Sequence, residues 1–322
     1  MKVVFSEIQN DHAPSRYLRH GALIDYPESP ERVRRLMAGA LQAGLEPCEP
    51  ELFDASHFEG VHPRRYLDFL ENGHAEWMKL PGAFPEIMPS IRPVAAPSAY
   101  PSHILGRAGW HIMDFAGAVT AETWGAVRLS AMSALTAAKL VSSGADAAYA
   151  LSRPPGHHAY GERAGGFCYL NNSALAAQYL RRHHERVAIL DIDVHHGNGT
   201  QSIFYDRADM LTVSIHADPA SYYPFFYGYG EQQGEAEGEG FNLNLPVPVK
   251  SGDRVWLAAL ENALKRIADF KPGALVLALG LDAHEADPLD GGAVTTEGFT
   301  LMARMIAEIG LPTVLVQEGG YL

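Results

Sequence analysis

The sequence predicts an α/β fold with a mostly parallel, multi-stranded sheet and helices on both of its faces. Three observations lead to this prediction. Short apolar segments rich in Val, Ile, Leu and Ala recur along the chain, helix-like segments lie between them, and polar clusters follow several of the apolar segments. In an open α/β sheet, ligands bind beyond the carboxyl ends of the strands, so these clusters predict a single functional site.

The predicted strands are almost continuously apolar, as expected of strands that are buried on both faces. They cover residues 3–6, 146–151, 187–194, 211–217, 274–280 and 313–320. The first predicted helix, 29–44, has Ser29 as its N-cap and Pro30 in its first turn. The other predicted helices cover 123–143, 173–184, 252–268 and 296–309.

Two segments interrupt this alternation and are predicted to be long loops. Residues 80–109 are rich in Pro and Ala, and residues 218–240 are rich in Tyr, Gly and Glu. Long ordered loops are more often functional than idle. No Gly/Ser-rich or charged linker divides the 322 residues, so we expect one domain over 1–322.

Composition excludes several classes of function. The formal net charge is −13, which argues against a general nucleic-acid binder because such a protein needs basic patches. No segment is long enough to predict a membrane span. The chain has 2 cysteines, too few for a disulfide framework. We therefore expect a soluble, cytoplasmic protein.

The segment ILDIDVHHGNGT (189–200) carries a candidate metal site. Alternation along a strand would place Asp191, Asp193 and His195 on one face. Two carboxylates and an imidazole favour a cation among them, although a structural Asp–His hydrogen bond is the alternative. Asp282, after another strand, would complete a three-ligand set typical of catalytic zinc, although a lone Asp there could also form a cap or turn. Iron(II) suits the same ligands.

Candidate acid–base and oxyanion groups follow two further strands. His157 and His158, in RPPGHH, could transfer protons near a metal site, or they could be exposed loop residues. Tyr321, after two glycines, could donate a hydrogen bond to an oxyanion. His183 and His184 are expected on a helix surface.

Together these motifs resemble those of the histone deacetylase superfamily. The resemblance spans roughly 150–322, and PESPERV (27–33) fits it too. The matching motifs are RPPGHH, GGFCYLNN, DIDVHHGNGT, GLDAHEADP and EGGY. The insert at 80–109 and the GRAGWHIMDFAGAVTAETW segment after it are more similar to bacterial acetylpolyamine amidohydrolases than to the eukaryotic enzymes.

The resemblance implies an arginase/deacetylase-like fold and a role for each matching residue. Zinc, or iron(II), would be bound by Asp193, His195 and Asp282. His157 and His158 would be the acid–base pair. Asp191 would orient His157, Asn198 would adjoin His158, and Tyr321 would donate to the oxyanion. The residues implied to line an acyl-lysine-like tunnel are Phe167, Tyr223 and Gly166. A structural potassium ion would bind main-chain carbonyls around Asp191, Asp193 and His195 and the hydroxyl of Ser214.

The implied activity is hydrolysis of acetylated amines, most closely acetylpolyamines, by a metal-activated water and a histidine base in a homodimer. Leu105 and Ala116 stand where polyamine-selective relatives have acidic residues, with Asp114 and Glu122 nearby. The chain stops at Leu322, where relatives usually continue into a helix. The alternatives are a protein acetyl-lysine deacetylase, a binuclear-manganese ureohydrolase suggested by DAHEAD (282–287), and a metal-dependent binding protein without catalysis.

Overall fold

The computed structural model of the chain describes residues 1–19, 21–93 and 99–322. Its strands, in chain order, are β1 (Lys2–Val4), β2 (Arg16–Arg19), β3 (Ala22–Asp25), β4 (Glu46–Cys48), β5 (Ala147–Ala150), β6 (Val187–Asp191), β7 (Met210–Ala217), β8 (Asn242–Val247), β9 (Ala274–Leu279) and β10 (Thr313–Gln317). An eight-stranded sheet has the order β4-β1-β5-β10-β9-β6-β7-β8, and β2 and β3 form a separate antiparallel pair. Every neighbouring pair in the large sheet is parallel, which confirms the predicted fold class.

The helices connect these strands and cover both faces of the sheet. They are α1 (Pro30–Gln42), α2 (Ser56–Glu59), α3 (Arg64–Trp77), α4 (Ile104–His111), α5 (Thr123–Ser142), α6 (Asn172–Leu180), α7 (Asn198–Phe204), α8 (Asp253–Phe270) and α9 (Thr296–Ala307). Short 3₁₀ helices cover Glu7–Asp11 and Ala236–Gly238. None of these helices, within the described ranges, is long and apolar enough to cross a membrane.

The alternation of side chains along β6 shows how the two faces are filled. Val187 and Ile189 belong to the apolar cluster that contains α5 and α6, while Ala188 and Leu190 belong to the cluster that contains α8 and α9. Successive residues of a strand point to opposite faces, so a strand with helices on both sides must be apolar throughout. This is why the central strands were visible in the sequence as continuous apolar segments.

The predicted strands and helices are all present, with shifted ends. The largest error concerns 187–194, because β6 ends at Asp191. Beyond it, the carboxylates of Asp191 and Asp193 accept the backbone N–H groups of Asp193 and His195, at 3.0 and 2.9 Å. These local bonds replace the strand ladder, so the prediction that all three residues share one strand face is wrong for Asp193 and His195.

Other differences are smaller. Ser29 lies at the N-cap of α1, but its side chain makes no capping hydrogen bond. Helix α6 ends at Leu180, so His183 and His184 follow the helix rather than lie on it; His183 is exposed and His184 is half-buried. The predicted loop 80–109 contains most of α4, and its residues 94–98 lie outside the described residues. The sequence analysis did not predict β2, β3, β4, β8 or α3.

Parallel strands place the polar clusters at one edge of the sheet. The strands β5, β10, β9 and β6 are consecutive neighbours in the sheet. The segments that follow them carry His157 and His158, Tyr321, Asp282, and the pair Asp193 and His195, respectively. The prediction that four separate polar clusters form a single site therefore follows from the strand order.

Candidate active site

The centre of the site is a pair of buried carboxylates that converge on one imidazole. His195 Nδ1 lies 3.0 Å from Asp193 Oδ1 and 3.0 Å from Asp282 Oδ2. One ligand atom from each of the three side chains lies within 4.8 Å of the others. Asp193 and Asp282 are fully buried, and His195 is nearly so. The structure thus brings together all three residues that were predicted to hold a metal.

Backbone N–H groups fix both carboxylates in place. Gly319 N donates to Asp193 Oδ2 at 2.7 Å, and Val194 N donates to Asp282 Oδ1 at 2.9 Å. A Cβ atom at position 319 would lie 2.1 Å from Asp282 Oδ2 and 2.5 Å from Asp193 Oδ2. Because backbone atoms must approach the carboxylates this closely, position 319 requires glycine.

The donor set fits a divalent metal ion. Burial, followed by the charge of Asp193, raises the pKa of Asp282 to about 7. Two carboxylates buried this close together are costly unless a cation offsets their charge. Two oxygen ligands and one nitrogen ligand suit zinc and several other divalent ions, and three protein ligands leave a coordination position open.

The two adjacent histidines have different partners and therefore different protonation. His157 Nδ1 lies 2.8 Å from Asp191 Oδ2, and His158 Nδ1 lies 2.6 Å from Asn198 Oδ1. Burial lowers the pKa of His157, but Asp191 and Asp193 outweigh it and the net pKa is raised. The pKa of His158 is lowered by burial and by the neighbouring histidines.

The tautomer of His158 follows from its contact with Asn198. Asn198 Nδ2 donates to the hydroxyl of Tyr160 at 3.2 Å, so its oxygen faces the imidazole. A neutral His158 then donates from Nδ1 and keeps the lone pair at Nε2. The ring is therefore arranged to accept a proton at Nε2.

Tyr321 is anchored by contacts to its backbone and its ring. Its N–H donates to Asp287 Oδ2 at 2.7 Å. The Arg32 guanidinium carbon lies 4.7 Å from the centre of the Tyr321 ring, and the Phe167 ring centre lies 5.7 Å from it on an edge-to-face contact. Arg32 also donates to the carbonyls of Gly320 and Glu318, at 2.6 and 2.5 Å.

Arg32 is itself held by a buried ion-pair cluster. Its Nη1 donates to Glu28 Oε1 at 2.7 Å, and Arg153 Nε lies 2.9 Å from the same oxygen. All three side chains are almost fully buried. Burial alone would raise the pKa of Glu28, but Arg153 and Arg32 lower it below its usual value. The cluster joins the segment before α1 to the segments after β5 and β10.

Aromatic side chains surround the histidines and Tyr321. The Tyr223 ring makes edge-to-face contacts with His158 and His195, at centroid distances of 5.0 and 6.0 Å. Gly166, with φ +56°, lies so close to His158 that a Cβ there would be 2.4 Å from its Cδ2. The predicted residues Phe167, Tyr223 and Gly166 thus all adjoin the candidate active site. Ser214, named for potassium, has its hydroxyl 2.8 Å from His216 Nδ1.

Several residues of the site were not identified as such from the sequence. Glu318 of the EGGY motif is fully buried, and it accepts the N–H groups of Gly156 and His157 at 2.6 and 2.9 Å and the hydroxyl of Ser173 at 2.7 Å. Its position at a strand end was a usable signal. Arg32 and Asp287 act through contacts distant in sequence, which no local motif reveals.

Comparisons with known proteins show which family the chain belongs to. A family model described as "Histone deacetylase domain" matches residues 26–322. An acetylpolyamine amidohydrolase of Burkholderia pseudomallei is 46% identical over 321 residues, which cover 100% of this chain and 94% of that protein. Acetylpolyamine amidohydrolase 1 of Pseudomonas aeruginosa is 40% identical and covers the same shares. A crystal structure of acetylpolyamine aminohydrolase from B. pseudomallei superimposes with a TM-score of 0.96, at 46% identity, over 100% of this chain and 94% of that chain.

The Arg32 contacts lead to a stability prediction. Arg32→Met should lower the free energy of unfolding by about 3 kcal/mol, because it breaks a buried ion pair and leaves two carbonyls without their donor. Arg35→Met is the matched control, since Arg35 lies on the same helix and pairs with Glu31 in solvent, with its side chain 63% exposed. The control should lose less than about 1 kcal/mol. Urea denaturation measures both, and equal losses would contradict the assigned role of Arg32.

Proposed function

Because the chain belongs to the histone deacetylase family, we propose that it is a metal-dependent amidohydrolase that deacetylates small acetylated amines, acetylpolyamines above all. The observation that carries this proposal is the convergence of Asp193, His195 and Asp282 beside a histidine whose Nε2 is free to accept a proton. The full-length similarity to acetylpolyamine amidohydrolases supports the substrate class.

Each residue of the candidate active site has a separate role in the proposed reaction. Asp193, His195 and Asp282 would hold a divalent metal, which would supply a Lewis acid that polarises the amide carbonyl and lowers the pKa of water. His158 Nε2 removes a proton from the attacking water as its oxygen bonds to the carbonyl carbon. The Tyr321 hydroxyl donates to the resulting oxyanion. When the C–N bond breaks, His158 returns this proton to the departing nitrogen, and the acetic acid passes its own proton to the freed amine, which leaves acetate and an ammonium group.

His157 has a supporting role in this scheme. Against the effect of burial, the Asp191 carboxylate that it contacts raises the pKa of His157, which favours the protonated ring. A fixed positive charge there stabilises the negative charge that develops in the transition state. Asp191 orients the ring through its bond to Nδ1.

Further expectations accompany the proposal. We propose zinc as the metal, with iron(II) equally compatible with the donor set. We also propose one domain over 1–322, a cytoplasmic location and a homodimer, the last because the family resemblance implies it. The family resemblance also implies a structural potassium ion. It would bind the Ser214 hydroxyl and the main-chain carbonyls of Asp191, Asp193 and His195. Phe167, Tyr223 and the Gly166 backbone would line the passage for the substrate chain.

The alternatives are weaker. A ureohydrolase would use His284 and Asp287 of DAHEAD as further metal ligands. Asp287 instead accepts the N–H groups of Tyr321 and Leu289, and His284 Nδ1 accepts that of Ala286. A protein acetyl-lysine deacetylase would share the mechanism but not the full-length similarity to acetylpolyamine enzymes. A binding protein without catalysis would have no need of a free His158 Nε2.

The activity is tested by quantifying acetate released from N-acetylputrescine, N-acetylcadaverine, acetylspermidine and an acetyl-lysine peptide. We expect turnover of the small amines to exceed that of the peptide. His158→Ala should reduce kcat by roughly 10²- to 10⁴-fold, because it removes the general base. His183→Ala, on the exposed surface, is the control and should keep full activity. No acetate from any substrate, with urea released from arginine or agmatine, would refute the proposal.

The role of Asn198 predicts a change in pH dependence. Asn198→Asp would place a carboxylate beside His158 Nδ1 and raise the pKa of that imidazole by roughly one unit or more. Since the neutral ring is the base, the acidic limb of the kcat/KM profile should move to higher pH by the same amount. Asn198→Ser, which adds no charge, provides the comparison. An unchanged or acid-shifted limb in Asn198→Asp would exclude His158 as the base.

A further inference from the structure

Asp114, which lies between α4 and α5, connects two separate parts of the candidate active site. Its Oδ2 accepts the Tyr223 hydroxyl at 2.7 Å and the Gly166 N–H at 3.0 Å. Its Oδ1 accepts the N–H of Ala116 at 2.9 Å. Tyr223 is 109 positions away in the sequence and Gly166 is 52 positions away. A half-buried carboxylate therefore joins three segments of the chain.

Both distant partners of Asp114 adjoin His158. The Tyr223 ring lies edge-to-face on the His158 ring, with the centroids 5.0 Å apart. A Cβ at Gly166 would lie 2.4 Å from His158 Cδ2 and 2.9 Å from the Tyr223 hydroxyl oxygen. Tyr223, Gly166 and His158 thus form a compact contact group. Any movement of the Tyr223 ring or of the Gly166 backbone would change the space next to the proposed base.

The segment held through Gly166 N has an unusual backbone conformation. Gly166 and Phe167 both have positive φ values, +56° and +69°. A phenylalanine in the left-handed region persists only where its surroundings impose that conformation. The Asp114 bond to Gly166 N is one such constraint, and the packing of the Phe167 ring on Tyr26 and Tyr321, at 4.9 and 5.7 Å, is another.

The carboxylate of Asp114 is engaged by these protein donors, which favours a structural over a substrate-binding role. Hydrogen bonds to a charged acceptor are stronger than those between neutral groups, so the contact restrains Tyr223 effectively. Without it, the Tyr223 hydroxyl would lose its acceptor and the ring would be free to tilt away from Gly166. The passage beside His158 would then admit broader groups.

We propose that Asp114 is a positioning residue that fixes Tyr223 and the Gly166–Phe167 turn, and thereby restricts the site to amines with a slim chain. This inference rests on the proposed function, because Tyr223 and Phe167 are taken to line the substrate passage. It assigns selectivity to a hydrogen bond between the Asp114 carboxylate and the Tyr223 hydroxyl rather than to a charge that contacts the substrate.

The test compares N-acetylputrescine, which is slim, with N-acetylbenzylamine, which carries a ring. We expect the ratio of kcat/KM for the slim substrate to that for the ring substrate to fall roughly tenfold in both Asp114→Asn and Tyr223→Phe, the effect expected for loss of a charged hydrogen bond. The change should appear mainly as a lower KM for N-acetylbenzylamine. The double variant should lose less selectivity than the product of the two single losses, because both variants weaken the bond between Asp114 and Tyr223.

Asp253→Asn is the matched control. Asp253 also accepts one backbone N–H and one hydroxyl, from Thr295, at 2.8 and 2.7 Å. Weakening these two hydrogen bonds should lower the free energy of unfolding without altering the ratio of kcat/KM values. An unchanged ratio in the Asp114 and Tyr223 variants, or losses that multiply in the double variant, would overturn the inference.

A binding measurement separates this inference from the proposed function. Calorimetry on the zinc-loaded protein would compare an alkyl hydroxamate with an aryl hydroxamate. The same roughly tenfold loss of preference for the alkyl ligand is expected in Asp114→Asn and Tyr223→Phe. If the unaltered protein hydrolyses no acetylated amine, the proposed function fails, and the hydroxamate preference still supports or overturns the role of Asp114.

Discussion

The rest of the structure depends on how the buried negative charge of Asp193 and Asp282 is offset at the carboxyl edge of the sheet. Asp193 and Asp282 are fully buried and lie within hydrogen-bond distance of the same imidazole nitrogen. Such a group is stable only with backbone donors aimed at the carboxylates and a cation to offset their charge. The N–H groups of Gly319 and Val194 supply the donors. A divalent metal ion held by Asp193, His195 and Asp282, as proposed, would supply that cation.

Around this centre, buried ion pairs hold the neighbouring segments of the chain in position. Buried ion pairs add little net stability compared with apolar packing, but breaking one of them is costly. Glu28, Arg32 and Arg153 therefore define where the segments after β5 and β10 must lie. Arg32 also fixes the position of Tyr321, because it donates to the carbonyls of Glu318 and Gly320 and packs against the face of the Tyr321 ring. In the proposed role of Asp114, a carboxylate likewise holds distant segments in place, here through its bonds to Tyr223 and Gly166.

The sequence predicted the parts of the molecule in which local pattern and three-dimensional position coincide. The central strands β6, β7 and β9 are apolar on both faces and were identified, whereas β4, with the sequence EPC, and β8, which carries Asn242 and Asn244, have no such pattern. The candidate metal ligands and the two adjacent histidines could be proposed from the sequence because each lies in a compact motif at a strand end.

Contacts between distant segments were not predictable in this way. Arg32 lies 288 positions before Gly320, and Asp287 lies 34 positions before Tyr321, so neither pairing is marked by a local motif. The strand-face argument named Asp193 and His195, which the structure does bring together with Asp282, but the reason it gave for their proximity was wrong. Side-chain bonds to the backbone end β6 at Asp191, and it is the following turn that brings these ligands towards Asp282.

The most direct test of the central claim is the divalent metal content of the purified protein after equilibration with zinc, measured by elemental mass spectrometry together with competition against a chelator. The account predicts a single tightly bound zinc ion per chain. In Asp282→Asn, affinity should fall by more than roughly 100-fold, beyond the loss typical of residues that only orient a ligand. Asp287→Asn should keep its zinc, because Asp287 contacts the backbone of Tyr321 instead. Two divalent ions per chain, or equal loss of zinc in both variants, would contradict the account.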